Sequence, residues 1–244
     1  SSKQTMTYKN NKLLLPGTIN VNDCWFLARS NPVDRQNDIK QAITKWLEHS
    51  KFEIIFVENS NADLSFLDEL KEAHPGRLET LSFDGNNYDR SFGKGHGEIL
   101  AINYGLDHSE KLRDEKFFHK VAGRYFLTEI EEKYAEFEEQ FGADKIDLVV
   151  HIKEELFYEH NSIPTVYFGI TRELYDSHLR NFKVHDNHGI YLEHGMYKAF
   201  TSCLLLNDLI QEEEDKLNLF FVKEIGLEAD QVSGTNNHVI EHLK

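Results

Sequence analysis

The sequence predicts an α/β fold, a single domain with a mainly parallel central sheet flanked by helices. Three observations carry this. Short apolar runs alternate with amphipathic helical segments, the rhythm of a parallel sheet. One run, Phe52-Glu53-Ile54-Ile55-Phe56-Val57, is almost continuously apolar, as a strand covered on both faces must be. No internal repeat, low-complexity tract or linker divides the 244 residues, a length that fits one large domain with a sizeable core.

Composition narrows the function. Apolar content of 40% and charged content of 28% are ordinary for a soluble globular protein. The net charge of −15 argues against a general nucleic-acid binder, which needs clustered Lys and Arg. It does not exclude a small anionic ligand in a local cationic pocket. Cys24 and Cys203 fit neither a metal spacing nor a disulfide framework and read as small buried hydrophobes in a reducing compartment. No signal peptide is recognisable, and no apolar run approaches the roughly 20 residues of a membrane span. The expectation is a cytoplasmic protein, reaching a membrane only peripherally or through a segment or larger multidomain context outside this sequence.

Taken in order, Asp23 to Ala28 reads as a short buried strand, followed by a polar loop over 29–35. Ile39, Ala42, Ile43, Trp46 and Leu47 then mark one face of a helix. The strand at 52–57 ends in the polar loop Glu58-Asn59-Ser60-Asn61-Ala62-Asp63, and Leu64, Leu67 and Leu70 mark a second helix. Leu78 to Phe83 is a third strand. The loops at 29–35, 58–63 and 84–97 all follow strands and are expected at one edge of the sheet, where ligands bind such folds.

Residues 91–126 are the organising stretch. Ser91-Phe92-Gly93-Lys94-Gly95-His96-Gly97-Glu98 opens an apolar helix running to His108, and the strand Phe117 to Ala122 delivers Gly123-Arg124-Tyr125. A glycine-rich turn at a helix N-terminus with Lys94, Lys120 and Arg124 around it is chemistry suited to a diphosphate. It is neither a Walker A loop nor the dinucleotide fingerprint. Beyond it, Thr128 to Glu131 fits a capping box, and Ile130, Tyr134, Phe137 and Phe141 line a helix that Gly142 ends. The six glutamates from Glu129 to Glu139 read as a solvated face. Strands are expected at 146–152 and 166–170, then a helix capped by Thr171. The loop Val184 to Gly189 leads to a helix containing Met196, Tyr197 and Phe200, and the chain ends in a polar tail from about Val232.

The order of these pieces resembles that of bacterial glycosyltransferases that build capsule or lipopolysaccharide O-antigen. The carrying residues are Glu58-Asn59-Ser60, the Gly-Lys-Gly helix start, Lys120-Val121-Ala122-Gly123-Arg124-Tyr125 and Tyr191-Leu192-Glu193-His194. The resemblance spans about residues 22 to 206. It implies a GT-A-like (Rossmann-like) fold, with a nucleotide-sugar-binding half over 22–126 and an acceptor-binding half over 127–231. It implies a hexosyltransferase whose donor is a nucleoside-diphosphate sugar, a UDP-sugar first of all. The acceptor is a glycan or lipid-linked oligosaccharide at the inner face of the cytoplasmic membrane. Ser30, Arg35, Glu58, Asn59 and Ser60 then contact the nucleoside, Lys94, Gly95 and Glu98 lie beside the donor, and Glu193 faces the acceptor. One feature departs from the pattern. The strand where such enzymes carry Asp-x-Asp for a divalent metal reads Phe-Phe-His-Lys-Val-Ala-Gly-Arg-Tyr here, and Asp84 and Asp89 lie one strand too early. No metal ligands are assigned, and the three cations are expected to neutralise the diphosphate.

Glycosyl transfer passes through an oxocarbenium-like state, so the leaving diphosphate must be stabilised and the acceptor hydroxyl must lose a proton. Lys120 and Arg124 are the expected catalytic cations. Glu193 is the expected base, giving inversion, with Asp186, His185 and His188 in reserve. Plainer roles stay open: Lys94 as a loop lysine, Arg124 paired with a helix carboxylate, and Glu193 opening its helix, where negative charge suits the dipole. A nucleotidyltransferase, or an inactive module that binds a nucleotide or glycan, are the competing functions.

Overall fold

In a computed structural model, residues 7–21 and 30–227 are described. The expected strand at 23–28 and the polar tail lie outside them. The first described strand is β1, Lys12–Gly17, followed by α1, Pro32–His49; β2, Glu53–Glu58; α2, Asp68–Ala73; β3, Leu78–Ser82; α3, Lys94–His108; and β4, Phe117–Val121. The second half holds α4, Ile130–Phe141; β5, Leu148–His151; α5, Glu154–His160; β6, Tyr167–Thr171; α6, Arg172–His178; α7, Leu192–Leu209; and β7, Leu219–Val222.

The strands form one sheet in the order β3-β2-β1-β4-β6-β5-β7. Pairings β1–β2, β1–β4, β2–β3 and β5–β7 are parallel, and β6 runs antiparallel to both its neighbours. This is the mainly parallel α/β sheet that the sequence predicts. Its centre is β1, where Leu13, Leu14 and Leu15 are all fully buried. Because successive strand side chains face opposite ways, Leu13 and Leu15 join Trp46, Phe52 and Tyr134 on one face, while Leu14 joins Ile102, Phe118 and Met196 on the other. The two apolar layers explain why the central strands carry no polar face.

Local chemistry fixes the connections. Asn31 caps α1 through Oδ1, which accepts from the N–H groups of Val33 at 2.8 Å and Asp34 at 3.4 Å, with Pro32 at the first turn. Residues 32–35, expected as loop, are thus the first turn of α1. Trp46 Nε1 donates to the Tyr125 carbonyl at 2.9 Å, which ties α1 to the segment after β4. The expected capping box at 128–131 does not form: Thr128 Oγ1 donates to the Gly226 carbonyl at 3.3 Å, and no side chain caps α4. Nor is the glutamate row all solvated. Glu138 is buried and accepts from the backbone N–H groups of Lys9 at 2.7 Å and Asn10 at 3.0 Å, anchoring the approach to β1.

Parallel pairing brings the ends of β1, β2, β3 and β4 to one edge. The loops there are stitched together: Asn59 N–H to Gly17 O at 3.1 Å, Gly85 N–H to Asn59 O at 2.8 Å, and Asn86 Nδ2 to Asn20 O at 3.0 Å. Because β6 is antiparallel, its beginning, and Thr165 just before it, arrives at this same edge.

Candidate active site at the carboxyl edge of the sheet

Four segments converge beyond β4. The first is β4 and its exit, carrying Lys120 and Arg124. A glycine is required between them. The Gly123 N–H donates to the Pro16 carbonyl at 2.9 Å, and a Cβ on Gly123 would stand 2.5 Å from that oxygen. The backbones of β1 and β4 touch here, which fixes where Arg124 begins. The second segment is the start of α3. Gly93 precedes it with φ of 80°, a left-handed conformation that side chains resist, and the Asp186 carboxyl fills the space where its Cβ would be. No side chain caps α3, and its first turn holds no acidic residue.

The third segment is the start of α7, with Glu193. Gly95 brings it against α3: a Cβ there would lie 3.2 Å from Val184 Cγ1 and 3.4 Å from Leu192 Cβ. The fourth is the turn before β6, where Ile163 N–H donates to the Glu193 carbonyl at 3.1 Å and Thr165 Oγ1 donates to the Glu193 carboxylate at 3.2 Å.

The charges in this cluster are matched. Lys120 is fully buried; its ammonium pairs with Glu98, donates to the Thr165 carbonyl and lies 5.6 Å from the Phe168 ring centre. Arg124 Nη1 is 3.6 Å from Asp38 on α1, and its guanidinium sits 5.8 Å from the Tyr125 ring centre. Lys94 lies within electrostatic reach of Glu98, Glu193, Asp186 and Arg124. Burial pushes its pKa down and the carboxylates oppose this. Lys94 is nonetheless an exposed residue, so solvent screening keeps the effect modest. Burial, helped by Glu98, pushes the Glu193 carboxyl up, against its own backbone N–H first, then Lys120 and the Thr165 hydroxyl. Asp186 is likewise raised by burial and held back by Lys94 and His185.

The structure therefore brings Lys94, Gly95, Glu98, Lys120, Arg124 and Glu193 into one place. It puts the remaining expected residues to other uses. Glu58 is fully buried, and its carboxylate accepts from the N–H groups of Ile19 at 2.7 Å, Ser60 at 2.8 Å and Ala62 at 3.0 Å, and from the Ser60 hydroxyl. It holds two loops together through these bonds. Ser60 Oγ in turn accepts from Asn20 N–H at 3.0 Å. Asn59 is also buried; it accepts from Thr18 Oγ1 at 2.6 Å and donates to the Gly97 carbonyl at 3.2 Å, locking β2 to the first turn of α3. Arg35 is buried with Nε donating to the Thr18 carbonyl at 2.5 Å. Ser30 is exposed ahead of α1. Lys120 is a correction of a different kind: enclosed as it is, it cannot touch a diphosphate and can act only through its neighbours.

The reserve bases form their own group. The rings of His185 and His188 are 4.3 Å apart, and His185 also packs on Phe92 at 5.3 Å. Asp84 is exposed, and Asp89 accepts from the Ser91 N–H at 2.9 Å as the cap of a short turn. Among the described residues, the side chains placed to share a metal are Glu155, Glu159 and His160, exposed on α5, and none of them belongs to the cluster. The sequence reading missed Thr165 and Asp38. Pro164 was the one local sign that the chain before β6 is held in a set conformation.

No protein-family model matches the chain, and no curated protein does. Among solved structures it is similar to the glycosyltransferase GlyE of Streptococcus pneumoniae TIGR4, at 10% identity and TM-score 0.45, covering 88% of this chain and 45% of that one. It is similar to S. aureus TarS 1-349 in complex with UDP, at 12% identity and TM-score 0.49, covering 89% and 59%. It is similar also to HddC from Yersinia pseudotuberculosis, at 12% identity and TM-score 0.45, covering 87% and 91%. The chain thus spans roughly half the length of the first two. At these identities and scores the likeness is no guide to activity or substrate.

Proposed function

We propose that the protein is a glycosyltransferase that moves a hexosyl group from a nucleoside-diphosphate donor, a UDP-sugar first of all, to a hydroxyl of a growing surface glycan or lipid-linked oligosaccharide. One observation carries this reading. Lys94 and Arg124 flank the uncapped N-terminus of α3, and Glu193 stands within electrostatic reach of Lys94 on the neighbouring helix start. Anion stabilisation and base are thereby side by side.

In this reading the donor diphosphate lies against Lys94, Arg124 and the free N–H groups of α3, and no divalent metal is required. Glu193 accepts the proton of the acceptor hydroxyl. The acceptor oxygen bonds to the anomeric carbon from the face opposite the diphosphate. The carbon–oxygen bond to the β-phosphate breaks, and its electron pair leaves with the nucleoside diphosphate, inverting the anomeric centre. Lys120 remains behind the reaction, holding Glu98 and the turn that carries Thr165. The protein would work in the cytoplasm, at the inner face of the membrane that presents the acceptor.

A binding module without turnover is the second reading. It is favoured by the enclosure of Lys120, which pairs with Glu98 in the core and leaves the departing diphosphate to Lys94 and to Arg124, itself beside Asp38. The test is a thermal-shift screen against UDP, GDP, CMP and dTDP with Mn²⁺ or EDTA, followed by donor hydrolysis. A ligand that binds only the folded state raises the midpoint by mass action. A shift with one nucleoside diphosphate that survives EDTA supports the proposal. Loss of the shift in EDTA would show that a metal carries the diphosphate. A shift without sugar release marks a nucleotide-binding module, and no shift with any nucleotide refutes the transferase and leaves the module only a glycan to bind.

A further inference from the structure

We propose that Thr165 is a positioning residue that holds the Glu193 carboxylate in the orientation and protonation state a general base needs, a role that rests on the reading of Glu193 as the base. Two of its groups are committed. Its hydroxyl donates to Glu193 Oε1 at 3.2 Å, and its carbonyl accepts from the buried Lys120 ammonium. The residue is itself buried. Its position is set from both sides: Pro164 precedes it, and Ile163 N–H bonds the Glu193 carbonyl at 3.1 Å, so the same turn grips α7 by main chain and by side chain. Antiparallel β6 is what delivers this turn to the edge where β4 ends.

The hydroxyl adds a side-chain hydrogen bond to the one the carboxylate takes from its own backbone N–H. From α3, Glu98 faces the carboxylate and disfavours its charge, while Lys94 favours it. From β4, Lys120 favours it, but Lys120 is bound to Glu98. Arg124 and Asp186 act on Lys94, from β4's exit and the loop before α7. Among the described residues, Thr165 donates a side-chain hydrogen bond to the carboxylate, alongside the one from Glu193's own backbone N–H. A hydrogen bond to the charged form favours that form, and it also fixes which carboxylate oxygen is left for the acceptor hydroxyl.

The test compares Thr165→Val, which keeps the shape and the backbone carbonyl, with Thr165→Ser, which keeps the hydroxyl. Thr165→Ala serves if the valine variant does not fold. Two readouts are taken: the pH dependence of UDP-sugar hydrolysis, and the titration of the Glu193 carboxyl carbon by NMR in ligand-free protein labelled on glutamate, assigned with Glu193→Gln. Thr165→Val is expected to move both the acid limb of the rate profile and the Glu193 titration to higher pH. The rate then falls severalfold on the acid side with little change in donor KM, and Thr165→Ser restores the wild-type profile. A folded Thr165→Val protein whose Glu193 titrates as in wild type overturns the proposal. If the wild type releases no sugar, the proposed function fails, while the NMR titration still decides whether Thr165 controls Glu193.

Discussion

Replacing Lys120 with methionine removes a charge from the inside of the sheet while keeping nearly the same volume. The ammonium has no exposure, and it serves Glu98, the Thr165 carbonyl and the Phe168 ring. Losing one partner of a buried ion pair costs about 3–5 kcal/mol, because the other charge is left uncompensated. Glu98 retains 24% of its side-chain surface, and Lys94 is near, so the lower end, about 3 kcal/mol, applies. For a chain of this size that lowers Tm by roughly 6–12 °C. Urea unfolding of wild type, Lys120→Met, Glu98→Gln and the double variant measures it. The double variant should recover at least ~1 kcal/mol of the summed single losses, because each single change strands what the other removes. A Lys120→Met loss under ~1 kcal/mol, or strictly additive losses, would refute the claim that this pair organises the site.

Three other outcomes follow from the same geometry. Gly123→Ala should cost about 1–3 kcal/mol in urea unfolding, since its Cβ meets the Pro16 carbonyl, which is backbone and cannot swing aside; nucleotide affinity should fall with it as Arg124 shifts. Glu193→Gln should abolish turnover, and its stability relative to wild type should rise with pH. The carboxyl is raised above its usual 4.5, so the stability of its neutral form is complete below that value and is lost as pH rises through the folded-state value; glutamine lacks this loss. A difference in urea midpoint that stays flat across that window contradicts the burial argument. Asn31→Ala should cost about 1 kcal/mol through its lost cap and leave nucleotide-induced thermal shifts unchanged.

Much of this was legible in the sequence, for physical reasons. The strand at 53–58 and the helix at 32–49 announce themselves because burial on two faces, or on one stripe, leaves its period in the residues. The gathering of Lys94, Lys120 and Arg124 was legible because glycine at a helix start and cations at a strand end have few uses; Glu98 and Glu193 were placed with them by the resemblance. Other features left no such trace. Leu13 to Leu15 is too short a run to advertise the central strand, and β7, with half-exposed Phe221, reads as surface. The reversal of β6 depends on connections rather than on its residues. Glu58's loop-binding role was not legible, because a strand-end carboxylate looks the same in sequence whether it faces a ligand or the loop backbone. Only the count of N–H groups around it decides.

The three cations expected to share one task are divided by depth. Lys94 is exposed, Arg124 has its side chain 9% exposed, and Lys120 has none. In the proposed function a diphosphate would displace the carboxylates around exposed Lys94 at modest cost, because solvated ion pairs contribute little, while Arg124 would have to leave Asp38. The diphosphate cannot replace Glu98 on Lys120 without stranding a charge in the core. In the proposed function, ligand binding would exchange partners at the rim and leave the inner pair intact. In the proposed site, that inner pair holds the Thr165 carbonyl, and the Thr165 hydroxyl bonds Glu193. If the proposed function holds, such a site would bind its anion reversibly and hold its base still, as turnover requires.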